Sequence, residues 1–219
     1  TVPDFPDAPS MPAVKPFPGI PQVDPEDYQG KLGCKTLKKG DLQSDLGWWF
    51  GWDFDDEFDW GPSGSGRKYL DLSTLDTEHY QVFYIDDEVS NLYVYGTYTG
   101  MITLVSKGKI TVCGNVLAKD DDFENNDLMI LSFRESGNNK DAINVMWNRK
   151  VDALLFAPKG RVKTYWRTWV RGGIMAKDVI LGPECKVDNI KGIVDKFGTG
   201  TSGIESFEIM SWRETSGML

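Results

Sequence analysis

"SKGKITVCGNVLAKDD" (residues 106–121) keeps apolar alternation for only a few residues before a glycine, an asparagine or an aspartate breaks it. The same grain returns in "APKGRVKTYW" (157–166) and "RGGIMAKDVILGPECKV" (171–187). From residue 68 onward, short β-prone runs follow one another at 81–85, 92–95, 101–106, 109–113, 115–118, 128–133 and 142–147. They continue at 151–157, 161–170, 173–176 and 178–182. Gly, Asn, Asp or Pro bounds each run, which is how strands end. No part of this region sustains a helical period, so the expected class is all-β.

Hairpin-joined sandwiches and barrels favour two-residue turns such as Asn-Gly or Asp-Gly. Those dipeptides are missing between the runs, and single glycines or one to two polar residues separate them instead. Such spacing suits a β-solenoid, in which the chain bends at each corner and lays strand upon like strand. "GKITVCGNVLAKD" and "GGIMAKDVILGPECKVD" read as one unit used twice, each with a small-residue-plus-lysine corner, "LAK" or "MAK".

The chain has 219 residues, enough to bury a real core. A formal charge of −9 argues against nucleic acid and against an anionic membrane surface as partners. No apolar run is long enough to span a bilayer. Cys34, Cys113 and Cys185 are widely spaced and form no C-x-x-C pair; they read as small buried thiols, with a Cys34 disulfide as the alternative in an exported protein. His79 is the only histidine, which removes serine triads and multi-histidine zinc sites.

Three regions are expected. Residues 1–25 carry eight prolines and read as a leader or a strap across the domain, with Phe5, Phe17 and Ile20 to pin it. Residues 26–67 form an aromatic and acidic cap or insertion, and 68–219 form the β-solenoid domain. The tail "SFEIMSWRETSGML" (206–219) is expected to add one more strand. Because the sequence opens at Thr1 inside the proline-rich tract, an export or anchoring segment is expected upstream.

Two stretches offer contact chemistry. Read as one strand, "RVKTYWRTWVRGG" (161–173) puts Val162, Thr164, Trp166, Thr168 and Val170 on the interior side. Lys163, Tyr165, Arg167, Trp169 and Arg171 then face out as a basic, aromatic row. Such rings stack on sugars or anchor a protein interface, or else they lie beneath the strap or the insertion, stacked on the arginines.

"GWWFGWDFDDEFDWG" (47–61) holds Trp48, Trp49, Trp52 and Trp60 among five acidic residues and no base. Alternation sets Trp52, Phe54, Phe58 and Trp60 against Asp53, Asp55, Glu57 and Asp59. The reading adopted is a cap or docking element, paired with the Arg167/Arg171 row or closing an open end of the solenoid. A sugar platform is the second reading. A calcium loop is the third, although the D-x-[DN]-x-[DN]-G-x5-E pattern is missing. "AKDDDFENND" (118–127) is read as a solvated loop. Neither "APKG" (157–160) nor Ser202 meets the pattern of a phosphate loop or a nucleophile elbow. No catalytic residue, metal or cofactor is assigned.

The stretches "QVFYIDDEVSNLYVYGTYTGMITLVSKGKITVCGNVLAK" (81–119), "VDALLFAPKGRVKTYW" (151–166) and "VRGGIMAKDVILGPECKV" (170–187) resemble the β-solenoid domains of PilX-like, type IV pilus-associated surface proteins. The match is carried by 83–86, 100–106, 108–112, 155–160 and 172–181. It departs at Asp87 and Glu88, where the family pattern tends to have a glycine, and at "ESGNNKD" (135–141). Cellulose-binding tapirins are a related resemblance. Neither group brings catalytic residues.

The resemblance implies a non-enzymatic, exported cell-surface protein with a structural or adhesive role, whose partners are pilus or cell-surface proteins or an insoluble polysaccharide. A carbohydrate-binding adhesin is the first alternative, and a solenoid polysaccharide lyase or hydrolase acting through Asp120–Asp122 is the second.

Overall fold

The structure, a computed structural model, describes residues 24–29, 33–44, 67–135 and 141–188. Strands β1 (Cys34–Leu37) and β2 (Lys68–Asp71) stand on either side of the aromatic-acid stretch. Then come β3 (Val82–Ile85), β4 (Asn91–Tyr98), β5 (Met101–Ser106), β6 (Lys109–Ala118) and β7 (Asp127–Ser132). The series closes with β8 (Ile143–Val145), β9 (Lys150–Thr164), β10 (Trp169–Leu181) and β11 (Lys186–Asp188). The described residues are thus all-β apart from short 3-10 turns, such as the one at Pro25–Asp27.

All these strands join one curled parallel sheet in the order β1-β3-β5-β7-β9-β8-β6-β4-β2, with β10 on β9 and β11 on β10. Up to β8, consecutive strands are not neighbours and each of β1–β7 pairs with the strand after next, whereas β8 pairs directly with β9. The pairings fall into three rows. In row one, Phe83, Leu104, Ile130, Leu155 and Ile174 succeed one another in register. In row two the succession is Leu92, Ile110, Ile143, Val162 and Val179. In row three it is Gly96, Val116, Val151, Val170 and Val187.

The inward side chains of the rows meet in one apolar core that includes Phe83, Leu104, Ile110, Val151 and Val162. Both faces of rows one and two are largely buried up to β9, which is the environment of parallel strands, whereas on β10 the row-two residues Asp178, Val179 and Ile180 are exposed. On row one, the outward column Tyr84, Val105, Leu131 and Phe156 is buried together with Phe133, and Tyr28 packs against it. Strand β7 is buried along its whole length. That explains why "LMIL" is a continuous apolar run and not an alternating one.

The corner between rows two and three lengthens along the chain. It is Tyr95 alone in β4 and 113–115 in β6, then 146–150, 165–169 and 182–186. Asn148, Arg167 and Glu184 occupy the same place in the last three corners, and all are left-handed, with φ of 57°, 56° and 58°. The single strand expected over 161–170 is therefore two. Strand β9 ends at Thr164, the chain turns through the left-handed Arg167, and β10 starts at Trp169. The turn breaks the period-two alternation, so Thr168 is buried while Trp166, assigned to the interior row, lies exposed.

The "LAK" and "MAK" echo is not a structural repeat either. Ala118 ends row three opposite Tyr98, whereas Ala176 ends row one opposite Ala157. The tail at 206–219 and the proline-rich stretch up to residue 23 lie outside the described residues.

Strand β10 passes from row three to row one through Gly172, which has φ of 140°. A Cβ there would collide with the Ala153 carbonyl of the adjacent strand. We expect Gly172→Ala to cost about 2–3 kcal/mol of unfolding free energy through clash and strain. Gly40→Ala, with nothing within 4 Å of the added methyl, should cost under about 0.5 kcal/mol. Paired urea melts check both.

Candidate functional site

The corner at 165–169 and the row-three strands beside it hold four of the eight contact residues singled out from sequence, Tyr165, Arg167, Trp169 and Arg171. Register aligns Lys150, Trp169 and Lys186 in one outward column, and Asp152, Arg171 and Asp188 in the next. Between these columns Val151, Val170 and Val187 point inward. Alternation along three successive strands therefore sets a cation–indole–cation column beside an acid–base–acid column.

Arg171 is the centre of the second column. Its Nε donates to Asp152 Oδ1 at 2.7 Å, and Nη2 donates to Asp152 Oδ2 and to Asp121 Oδ1, both at 2.6 Å. The Asp152 side chain is 0 % exposed and that of Arg171 is 15 %. Asp152 also accepts from the Ala118 amide at 3.1 Å, and its carbonyl accepts from the buried Tyr98 hydroxyl at 2.7 Å. Hydrogen bonding to Asp152 raises the guanidinium above its ordinary pKa, and hydrogen bonding to Arg171 holds the Asp121 carboxyl below the usual carboxylate range. Burial raises the Tyr98 phenol.

The guanidinium of Arg171 also lies 4.7 Å from the Phe123 ring centroid and 5.6 Å from that of Trp169. So the acidic loop at 118–127 is tied to the sheet through Asp121 and Phe123. Within that loop, Asp122 accepts from the Glu124 and Asn125 amides. Among the described residues, no group of three or more His, Cys, Asp or Glu side chains is arranged to hold a metal ion.

Trp169 keeps its indole partly in solvent, fixed by an Nε1 bond to Asp188 Oδ2 at 2.6 Å and by Lys150 Nζ 5.3 Å from its centroid. One corner position away, Arg167 lies over the Trp166 ring at 4.0 Å. Glu184 on the next corner clamps both residues, accepting from Trp166 Nε1 at 3.0 Å and from Arg167 Nε at 2.8 Å. Those donors, Arg167 first, lower the Glu184 pKa. Trp147, Trp166 and Pro183 share one place on successive corners. Trp147, Trp166 and Trp169 are 39 %, 43 % and 39 % exposed.

Tyr165 stands at the other end of its corner, half-buried, with Lys163 Nζ 4.6 Å from its ring centroid. Its carbonyl accepts from Thr168 Oγ1 at 2.7 Å and from Cys185 Sγ at 2.8 Å. All three cysteines are free thiols. Trp48, Trp49, Trp52 and Trp60 lie outside the described residues.

The structure thus brings Arg167, Trp169 and Arg171 to one edge. Each of these arginines already holds a carboxylate of its own sheet, Glu184 for Arg167 and Asp152 with Asp121 for Arg171. Sequence reasoning missed Trp147, Trp166, Lys150, Asp152, Glu184 and Asp188. A signal for them was present: "WNRKVD" (147–152), "WRTWVR" (166–171) and "PECKVD" (183–188) are the same corner used three times.

No family model matches the chain, and no curated protein or solved structure matches it significantly.

Removing Arg171 would strand the buried Asp152 carboxylate. We expect Arg171→Met to destabilise the domain by about 3–5 kcal/mol, and Arg171→Met/Asp152→Leu to recover most of that loss. Equilibrium denaturation of both variants measures the difference.

Proposed function

We propose that this chain is a non-catalytic module of an exported cell-surface protein, pilus-associated in the manner of the proteins it resembles. In this reading the three rows are the sides of a β-solenoid, and the corner at 146–150 and 165–169 is its contact edge. The supporting observation is the exposure of Trp147, Trp166 and Trp169 on neighbouring corner positions of a parallel sheet. Large aromatic side chains gathered on one exposed edge mark interaction surfaces more often than chance exposure does. Around them, Glu184, Asp188 and Lys150 fix ring orientation before any partner arrives, which reduces the entropy lost on binding.

Attachment to an insoluble polysaccharide is the second reading, favoured by the alignment of Trp147 with Trp166. Adjacent strands lie about 4.8 Å apart, a separation that lets the two indoles address one extended glycan chain.

The test is a pull-down on cellulose, chitin and xylan beside Trp147→Ala/Trp166→Ala and Trp169→Ala variants with unchanged circular dichroism. A polysaccharide adhesin predicts at least tenfold weaker retention for the double variant. A protein-contact edge predicts no retention of any form on the polymers, and loss of cell-surface association in the variants. Wild-type retention left intact by all three substitutions would refute the corner as the site.

A further inference from the structure

Strand β6 opens on Lys109, and β8 pairs beside it with Ile110 opposite Ile143 and Thr111 opposite Asn144. Ile110 and Ile143 belong to the core, so period two turns Lys109 and Asn144 to the outer face of row two, on two adjacent strands. Both are buried there. Lys109 is 8 % exposed, Asn144 2 % and the neighbouring Asp141 8 %. Tyr93, Thr111 and Met146 are buried on the same face.

The three polar side chains touch in series. With its amide turned so that both ends are satisfied, Asn144 accepts at Oδ1 from Lys109 Nζ at 3.0 Å and donates from Nδ2 to Asp141 Oδ2 at 3.0 Å. Nδ2 also donates to the Ile143 carbonyl at 3.3 Å. The other carboxylate oxygen of Asp141 accepts from Arg161 Nε, which holds the carboxylate in place. A primary amine, a carboxamide and a carboxylate thus stand in line in a buried setting.

We propose that Lys109 and Asn144 are the two halves of an intramolecular amide bond that the folded chain forms by itself. As the free amine, Lys109 Nζ adds to Cγ of Asn144, and the electron pair of the carbonyl moves onto Oδ1. Asp141 takes a proton from the added nitrogen and passes it to Nδ2. The carbonyl re-forms, the Cγ–Nδ2 bond breaks, and Nδ2 leaves as ammonia. One amine and one primary amide become one secondary amide and one ammonia, with no oxidant, metal or external co-reactant.

Three observations carry the assignment. Nζ already bonds the oxygen attached to Cγ, so rotation of the lysine end brings it toward the about 3–3.5 Å at which reacting atoms are poised. Asp141 bonds Nδ2, the atom that must gain a proton to leave. Burial of all three groups keeps water from competing for Cγ. The bond would tie β6 to β8 three residues before Trp147, closing a loop as a disulfide does, in a chain whose three cysteines are free thiols.

The test is the intact mass of the full chain, purified folded and then denatured. It should fall below the sequence mass by one ammonia, and Lys109→Arg and Asn144→Ala should each restore the sequence mass. Trypsin does not cleave after an acylated lysine, so the wild-type digest should contain a branched peptide joining 108–119 to 141–149. Asp141→Glu, which keeps a carboxylate, should still form the bond, and Asp141→Asn should not. A wild-type mass equal to the sequence mass would overturn the proposal, as would an ammonia deficit that peptide mapping places elsewhere. The wild-type reading decides the matter whether or not any variant folds.

Discussion

Parallel pairing in register is the constraint on which the other features rest. A backbone N–H or C=O buried in the sheet must find its partner on the neighbouring strand, and in this chain that strand is for the most part the one after next in sequence. Each side chain is then held over its counterpart at the strand spacing. Columns follow from that geometry: valine on valine in row three, tyrosine on tyrosine in row two. Any charge placed in a column meets the charge of its neighbours. Asp152, Arg171 and Asp188 alternate in sign along theirs, whereas like charges there would repel at close range.

The same constraint explains how an acidic chain keeps a buried carboxylate. Asp152 accepts two bonds from Arg171 and one from the Ala118 amide, so its desolvation is offset by a bidentate partner held in place by the register. Corner length is the freer variable. Backbone hydrogen bonding fixes the rows, but a corner need only return the chain to its row. Between β4 and β9 it grows from one residue to the segment 146–150. The added residues carry the tryptophans. The exposed tryptophans are thereby confined to the connections between strands and their immediate margins, where sequence change leaves the core untouched.

Much of the fold was legible because strand-forming runs end where the chain must turn. The run at 101–106 coincides with β5, and those at 81–85, 92–95 and 128–133 fall within a few residues of β3, β4 and β7. Parallel pairing was readable from the missing hairpin dipeptides. The edge was harder. "KTYWRTWVR" looks like one strand because period two sets Thr164, Trp166, Thr168 and Val170 against a basic, aromatic row, yet Arg167 takes a left-handed φ that pattern reading does not expect of arginine. One turn there reassigned Trp166 from core to surface. Arg167 and Arg171 looked like free cations because their carboxylate partners come from elsewhere in the sheet, Glu184 from the turn after β10 and Asp152 from β9. Strand β1 was hidden as well, since "CKTL" is short and half polar, and its partner β3 lies beyond the aromatic-acid stretch.

The most direct check of this account is the distance between corners. Nitroxide labels at Trp147→Cys and Trp166→Cys, in a chain with its native cysteines replaced by serine, would be read by continuous-wave electron paramagnetic resonance. If successive circuits stack in register, the two backbones lie about 5 Å apart, and the spectrum should show strong dipolar broadening that vanishes on unfolding in urea. A spectrum equal to the sum of the two singly labelled proteins would contradict the register, and with it the aligned tryptophan edge.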